Sequence, residues 1–273
     1  MKRTTLITLG LSLAACMTSS SSTPSTTQPP TQPPTAQAPS SADYEDTAQA
    51  ISSSIVTGQG GVAGAGDVLA MSDALSIARG RLPIGFALGS DGWIHGDHLG
   101  IDNSFKVTCK DAAGTVQAHC DQTTDSATVD VKWTGSIDVP NFSLSIDRQA
   151  TWTITGLTSA TATFDGGSSF SLDTMMTSIF HQGVTSTDTF DATASYKAIT
   201  IATADHTITG GSASFEIKGH RTVTGTPMGQ NDVDKSFDAI AVITFNADHT
   251  ATLVLDGTQT FTIDLTTGKI TKA

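Results

Sequence analysis

The amino-acid sequence predicts a mainly β protein: an antiparallel meander sheet, as a sandwich or a curved, partly open barrel, preceded by one or two short helices. Three observations predict it. Apolar residues from Ile84 onward recur with a period of two, turn residues separate the rows, and no helical period intervenes between them. Strands joined by short turns pair antiparallel with their sequence neighbours. Thr, Ser, Gly and Asp dominate the chain while Lys, Glu and Leu are few, which suits strands and tight turns better than a helical bundle.

The chain starts with Met1, Lys2 and Arg3, continues in an apolar run from Leu6 to Ala15, and reaches Leu13-Ala14-Ala15-Cys16. A basic start, a short apolar stretch and small residues before a cut predict a signal peptide over residues 1–15, too short for the ~20 residues that span a bilayer. Leu-Ala-Ala-Cys resembles the lipobox of bacterial lipoproteins. That resemblance implies a diacylglyceryl thioether on the Cys16 sulfur, cleavage before Cys16 and an acylated new N-terminus. A single acyl chain binds membranes only reversibly, so the three chains it implies make a stable anchor. Met17 stands where, in the common Gram-negative sorting scheme, an Asp retains such proteins in the inner membrane. The resemblance therefore points to the outer membrane of the cell envelope, with the periplasmic or surface face left open.

Residues 16–42 form the predicted tether. Positions 17–41 carry no charged side chain and six of the nine prolines. Ser, Thr, Gln and Pro bury too little apolar surface to order themselves, so the stretch predicts a disordered spacer rich in polyproline II. Residues 43–83 form a helical and Gly-rich segment. Tyr44, Ala48, Ile51 and Ile55 fall on one helical face between Asp43 and Gly58, with Asp43, Glu45 and Asp46 in the first turn, where the helix dipole favours acids. A Gly-rich link follows over 58–66. A second helix is predicted from Asp67 to Ala78, with Val68, Met71, Leu75 and Ala78 on one side and Gly80 and Pro83 ending it.

Residues 84–273 are predicted as the antiparallel β domain. Val129, Val131 and Trp133 alternate with polar residues, as do Leu144 and Ile146, Trp152 and Ile154, the row Phe237 to Phe245, and Phe261, Ile263 and Leu265. Turns are predicted at Asp165-Gly166-Gly167, Gly210-Gly211, Asn231-Asp232, Asp256-Gly257 and Thr267-Gly268. Phe190-Asp191-Ala192-x-Ala194 recurs as Phe237-Asp238-Ala239-x-Ala241, and Ala204-Asp205-His206-Thr207 as Ala247-Asp248-His249-Thr250. Phe215-x-Ile217 likewise recurs as Phe261-x-Ile263. The segments 190–217 and 237–263 therefore predict two similar three-strand meanders, with Phe190 and Phe215, and Phe237 and Phe261, on one buried face. Asp205 and Asp248 read as turn-starting residues.

With Cys16 consumed by lipid, Cys109 and Cys120 are the remaining thiols and predict a disulfide in an oxidising compartment. A tight turn at 111–114 would set Cys109 opposite Val116, so the bond requires the chain to bend back near Asp121 or a wider loop.

The formal charge of −12 becomes −14 once Lys2 and Arg3 leave with residues 1–15. That balance excludes nucleic acid as a partner and leaves membrane contact to the lipid. His95, Asp97 and His98, within Trp93-Ile94-His95-Gly96-Asp97-His98, form the one metal candidate, with His119 or Asp102 to complete it. His-x-Asp-His matches the end of the metallo-β-lactamase pattern, but Trp93 stands at its first His and the α/β units of that fold are missing. Gly58-Gln59-Gly60-Gly61 lacks the Lys-Ser/Thr of a phosphate loop and reads as linker. No Gly-x-Ser-x-Gly, Ser-x-x-Lys or His-Glu-x-x-His occurs. Three Trp and two Tyr are too few for the aromatic girdles of a transmembrane barrel.

No catalytic residue and no cofactor is assigned. The preferred reading is a membrane-anchored lipoprotein with a non-catalytic binding or surface domain whose protein or apolar ligand is unknown. A periplasmic carrier of a lipid or other apolar ligand comes second, and a metal-dependent hydrolase at His95 and His98 third. A carrier predicts an apolar cavity, whereas a filled core favours the first reading.

Overall fold

The computed structural model describes residues 39–55, 67–98, 101–181, 183–226 and 231–273. The expected signal peptide, Cys16, nearly all of the expected tether and the Gly-rich link at 58–66 lie outside the described residues. The elements in chain order are α1 (Ser41–Ile55), α2 (Asp67–Ala78), β1 (Ala87–Leu88), β2 (Ile94–His98), β3 (Ile101–Lys110), β4 (Ser126–Val139), β5 (Phe142–Thr155), β6 (Thr161–Thr177), β7 (Thr185–Ala202), β8 (Ile208–Thr224), β9 (Val233–Phe245), β10 (Thr250–Leu255), β11 (Gln259–Asp264) and β12 (Ile270–Lys272).

All twelve strands form one antiparallel sheet in strict sequence order, so the fold is an open meander and not a sandwich. α2 packs on β3 and β4, α1 packs on β10 to β12, and the two helices touch. Laid flat at about 4.8 Å per strand, β3 and β12 would lie about 40 Å apart, so the sheet must curl around the helix pair. It does not close, since β1 and β12 have one strand neighbour each. Both edge strands are very short, and β12 carries Lys272 with Lys269 just before it, features that discourage edge-to-edge association.

The helices form where the apolar spacing places them. Ser40 and Asp43 cap α1 reciprocally: the Asp43 carboxylate accepts from the Ser40 N–H at 2.6 Å, and the Ser40 hydroxyl faces the Asp43 N–H at 3.4 Å. Ala48, Ile51 and Ile55 are buried, Tyr44 packs against the core, and Met71, Leu75 and Ala78 of α2 are buried. Side chains of Asp46 and Val68 lie outside those described. Three contacts tie the helices and the turn after α2 to one end of the sheet. Ser52 donates to the Gly268 carbonyl at 2.9 Å, and Arg79 to the Thr203 carbonyl at 2.7 Å. The Ser72 hydroxyl meets His206 Nδ1 at 2.6 Å. We call this the helix end. The start of α1 reaches farther along the sheet, where Tyr44 donates to Asp256 of the β10–β11 turn at 2.7 Å and Lys235 near the start of β9 donates to Asp43.

Two of the expected turns are bulges instead. Asp165-Gly166-Gly167 lies inside β6 and Gly210-Gly211 inside β8, on either side of an irregularity in β7 around Ala198. Asp165 accepts the Ala198 N–H at 2.8 Å, which holds the extra residue of β7 in place. Gly166 (φ 147°) and Gly211 (φ 103°) adopt backbone that L side chains avoid, and a Cβ would fall 2.2 Å from the Thr151 carbonyl and 2.4 Å from the Ala198 carbonyl. The turns at Asp256-Gly257 and Thr267-Gly268 form as expected, and Asn231-Asp232 leads into β9.

The bulge at Gly210-Gly211 also breaks the expected symmetry. The 190–217 segment makes two strands, β7 and β8, while 237–263 makes three, β9 to β11, so two similar three-strand meanders do not form. The Ala-Asp-His-Thr turns are nonetheless alike. Asp205 and Asp248 each accept the N–H two residues on, at 3.0 and 3.2 Å, and His206 and His249 adopt φ of 62° and 63°. Phe190 and Phe215 share the inner face, as do Phe237 and Phe261, through the pairs Ala194↔Phe215, Phe215↔Ala241 and Leu253↔Phe261.

Cys109 and Cys120 are joined, with Cα atoms 5.4 Å apart. The turn is wider than expected: the Asp111 N–H reaches the Thr115 carbonyl, and Lys110, not Cys109, pairs with Val116. Thr124 N–H to the Asp121 carbonyl then bends the chain back and returns Cys120 to β3.

Candidate functional site

The inner face of β4 to β7 gathers hydrogen-bond donors. Cross-strand pairing sets them in rows. One row holds Trp133, Arg148, Phe170 and Ala192, the next Val131, Ala150, Ser168 and Ala194, and the third Val129, Trp152, Gly166 and Tyr196. The middle row carries small side chains between β5 and β7, so larger neighbours lean over it from both sides.

Those neighbours are polar at their tips. Arg148 is 2% exposed, with its guanidinium carbon 5.0 Å from the centroid of Trp133, a cation–π stack in the interior. Trp152 meets Tyr196 edge to face at 6.4 Å, and the Tyr196 hydroxyl lies 3.4 Å from Ser168 Oγ. Burial pushes the Arg148 guanidinium down from its ordinary value and the Tyr196 phenol up. Trp133 Nε1 and Trp152 Nε1 are buried and, among the described residues, have no acceptor. An indole N–H can only donate, so each loses its water bond on burial without gaining another.

From this cluster the inner face continues away from the helices. Leu172 and Phe190 form the next row, Ile137 and Leu144 the one after, and Phe142 and Met176 the last. Ile137, Phe142, Phe170, Leu172, Phe190 and Phe237 are only partly buried. Phe170 and Phe190 stack edge to face at 6.2 Å between the donors and this far end. Beyond them Val139, Met176, Ile179 and Phe180 are exposed.

The metal candidate is placed differently from a coordination site. His95 Nε2 lies 3.1 Å from an Asp91 oxygen, and its Nδ1 lies 2.8 Å from Ser104 Oγ and 3.7 Å from Asp102 Oδ1. The hydrogen bond to the Asp91 carboxylate raises the His95 pKa above its ordinary value, with burial opposing and the Asp102 charge adding to the rise. Ser104 donates to Asp102 at 2.8 Å, so its proton is directed to a carboxylate and not to the imidazole. Ser104, His95 and Asp91 thus line up without making a nucleophile: the imidazole, held on both ring nitrogens, clamps β2 to β3 and to the β1–β2 turn. Asp97 is exposed on β2, the His98 side chain lies outside those described, and His119 sits in the disulfide loop beyond the other end of β3. No group of three or more His, Cys, Asp or Glu positioned to hold a metal occurs among the described residues.

A shallow trough of about 650 Å³ lies against the outer face, lined by Trp93, Lys106, Asp130, Lys132, Gln149 and Thr151 among others. Two contacts run along it: Lys132 stacks 4.8 Å from the Trp93 centroid, and Thr151 donates to Asp130 at 2.9 Å.

The donor cluster was legible in part. Arg148 shares the parity of Leu144, Ile146, Trp152 and Ile154, so a single strand from 142 to 155 places it inward. Breaking that row between Ile146 and Trp152 hides it. Comparison with protein-family models, curated proteins and solved structures gives no match.

Proposed function

We propose that this protein is a lipid-anchored component of the bacterial cell envelope whose β domain binds and does not catalyse. The observation that carries the binding half is the disposition of its polar groups. His95 and the two Ala-Asp-His-Thr turns are engaged in local clamps, whereas in the interior of β4 to β7 the indole N–H groups of Trp133 and Trp152 have no acceptor among the described residues. Large side chains fill the helix end, including Trp152, Phe105, Phe164 and Phe261, which supports recognition along the far-end wall over an enclosed lipid cavity. The anchoring half rests on Leu13-Ala14-Ala15-Cys16. An outer-membrane position follows from Met17, and the tether would hold the domain off the surface.

Fractionation of cells expressing Cys16→Ser tests the anchor: the variant is expected in the soluble fraction. Retention in the membrane pellet at the level of the unsubstituted protein overturns it. Protease treatment of intact cells then separates a surface-facing domain from a periplasmic one.

A further inference from the structure

We propose that the loop tips at the far end insert into the interface of a zwitterionic lipid bilayer, so that the domain docks end-on through apolar side chains of its own. The proposal deepens the binding reading above by naming the partner of the far end. It rests on the anchor reading only for keeping a membrane within reach.

The far end finishes in an apolar rim. Strand pairing sets Val139, Phe142, Met176, Ser186, Val223 and Val233 in one inner row across β4 to β9, and only Ser186 among them is polar. Beyond that row the β6–β7 loop carries Ile179 and Phe180, 71% and 85% exposed. The backbone of this loop is held in a turn. Ser178 Oγ accepts the Phe180 and His181 N–H groups at 3.2 and 3.0 Å, and the Ser178 N–H reaches the Val184 carbonyl at 2.9 Å. The Thr177 N–H donates to the Asn141 carbonyl at 2.9 Å, which ties the loop to the β4–β5 turn beside the exposed Val139. Ile179 and Phe180 are thus held out where the domain itself gives them no burial, and clustered exposed apolar groups of this kind mark an interaction site.

Charge and chain exit select lipid as the partner. Positions 139–146 and 174–187 carry no Asp, Glu, Lys or Arg, in a chain with 26 acids and 14 bases. The helix-end loops, by contrast, carry Asp111, Asp121, Asp205 and Asp248. So acidic a chain has no basic face to offer anionic headgroups, and its contact with a bilayer has to be apolar. An uncharged tip of this kind enters about 5–10 Å, to the boundary of headgroups and acyl chains. One row deeper the charges are paired, Asp188 with Arg221 at 3.4 Å and Asp43 with Lys235, which suits the level of the headgroups. The Asp43 contact also fixes where the chain leaves the domain. It places the start of α1 one row inside the rim, and Pro39, the first described residue, is four positions earlier. The stretch that leads back to Cys16 therefore joins the domain at the end that carries the tips. A bilayer holding Cys16 is reached from that side, and the tether sets how far the domain stands off when it is not docked.

The test uses the mature chain, residues 16–273 carrying Cys16→Ser, so that neither the apolar run at 6–15 nor an acyl group contributes. Co-sedimentation with phosphatidylcholine vesicles gives a partition coefficient. Expected is binding that Ile179→Ser combined with Phe180→Ser lowers by about tenfold or more. Both side chains are exposed, so the double variant keeps its circular dichroism spectrum. Ile84→Ser, at a position 99% exposed on the segment between α2 and β1, leaves binding unchanged. Phe180→Trp binds as the unsubstituted chain does, and its added emission shifts to the blue on vesicles and is quenched by brominated phosphatidylcholine.

No binding to the vesicles, an equal loss with Ile84→Ser, an unchanged coefficient in the folded double variant, or emission from position 180 that stays as in water overturns the proposal. So does a dimer in sedimentation that the double variant dissociates, since the tips would then belong to a second copy of the chain. None of these outcomes touches the Cys16→Ser fractionation of cells, so failure here and failure of the anchor are separable.

Discussion

The two ends of the sheet carry the same sequence pattern and meet different surroundings. At the helix end, Ile154, Phe164, Ile201, Ile243, Leu253, Phe261 and Ile263 are each no more than 1% exposed, packed in one core with the apolar faces of the helices. At the far end the alternation continues along the same strands, but Val139, Met176 and Val233 are 48, 44 and 41% exposed. Alternation fixes which face a residue occupies, while burial depends on what lies over that face. The far end is built like an interior and covered like a surface.

Substitutions can break or sharpen this contrast. The largest effect is expected from an acid at matched inner positions. Phe261→Asp buries an unpaired carboxylate beneath α1 and should cost more than about 4 kcal/mol, enough to prevent folding of a domain of ordinary stability. Phe237→Asp sits on the partly buried wall, where water reaches the charge, and should cost about 1–3 kcal/mol. Urea unfolding of both variants measures the difference, and equal losses would erase the distinction between the ends.

The disulfide comes next. It closes a loop of sequence separation 11 at the helix end, and Cys120 sits beside Gly80 just after α2. Reduction or a Cys109→Ser, Cys120→Ser pair should cost about 2–4 kcal/mol in the same assay. Unchanged unfolding after full reduction would show that the loop adds nothing to this end.

Smaller effects follow from charge. Burial works against the Asp43 carboxylate, but hydrogen bonds from Lys235 and Ser40 outweigh it and hold the pKa below the usual range. A depressed folded value means stability that is present above the unfolded pKa of ~3.9 and lost as pH falls through the folded value. Asp43→Asn should therefore cost about 1 kcal/mol at neutral pH and nothing at the acid limit, read from denaturation midpoints across pH. For His95 the sign reverses, since its folded pKa is raised: its contribution is present below about 6.5 and lost as pH rises through the folded value. This side chain is 41% exposed, so His95→Gln should give the smallest change of the set.

How much was legible follows the same division. Helix positions, the disulfide, the meander class and the shared inner face of the Phe residues all rest on local spacing, which the sequence displays directly. The two glycine pairs misled because Asp-Gly-Gly and Gly-Gly signal a turn and a bulge with the same residues. What decides is the partner strand, where Ala198 offers its N–H to Asp165, and that partner is distant in sequence. The loss of the first three-strand meander, at 190–217, follows from the bulge that stands for a turn at Gly210-Gly211. The donor cluster needed the register of four strands at once, which no single segment displays.

Amide hydrogen exchange of the full chain tests the contrast between the ends most directly. Expected is protection near the global limit for amides of β5 to β9 at the helix end, residues 150–155, 162–164, 199–201 and 241–245. Protection should fall by an order of magnitude or more, through sub-global opening, at 137–144, 172–176 and 186–190. Uniform protection along each strand would contradict the account, because it would show the far end to be as tightly held as the helix end and not a wall waiting to be covered.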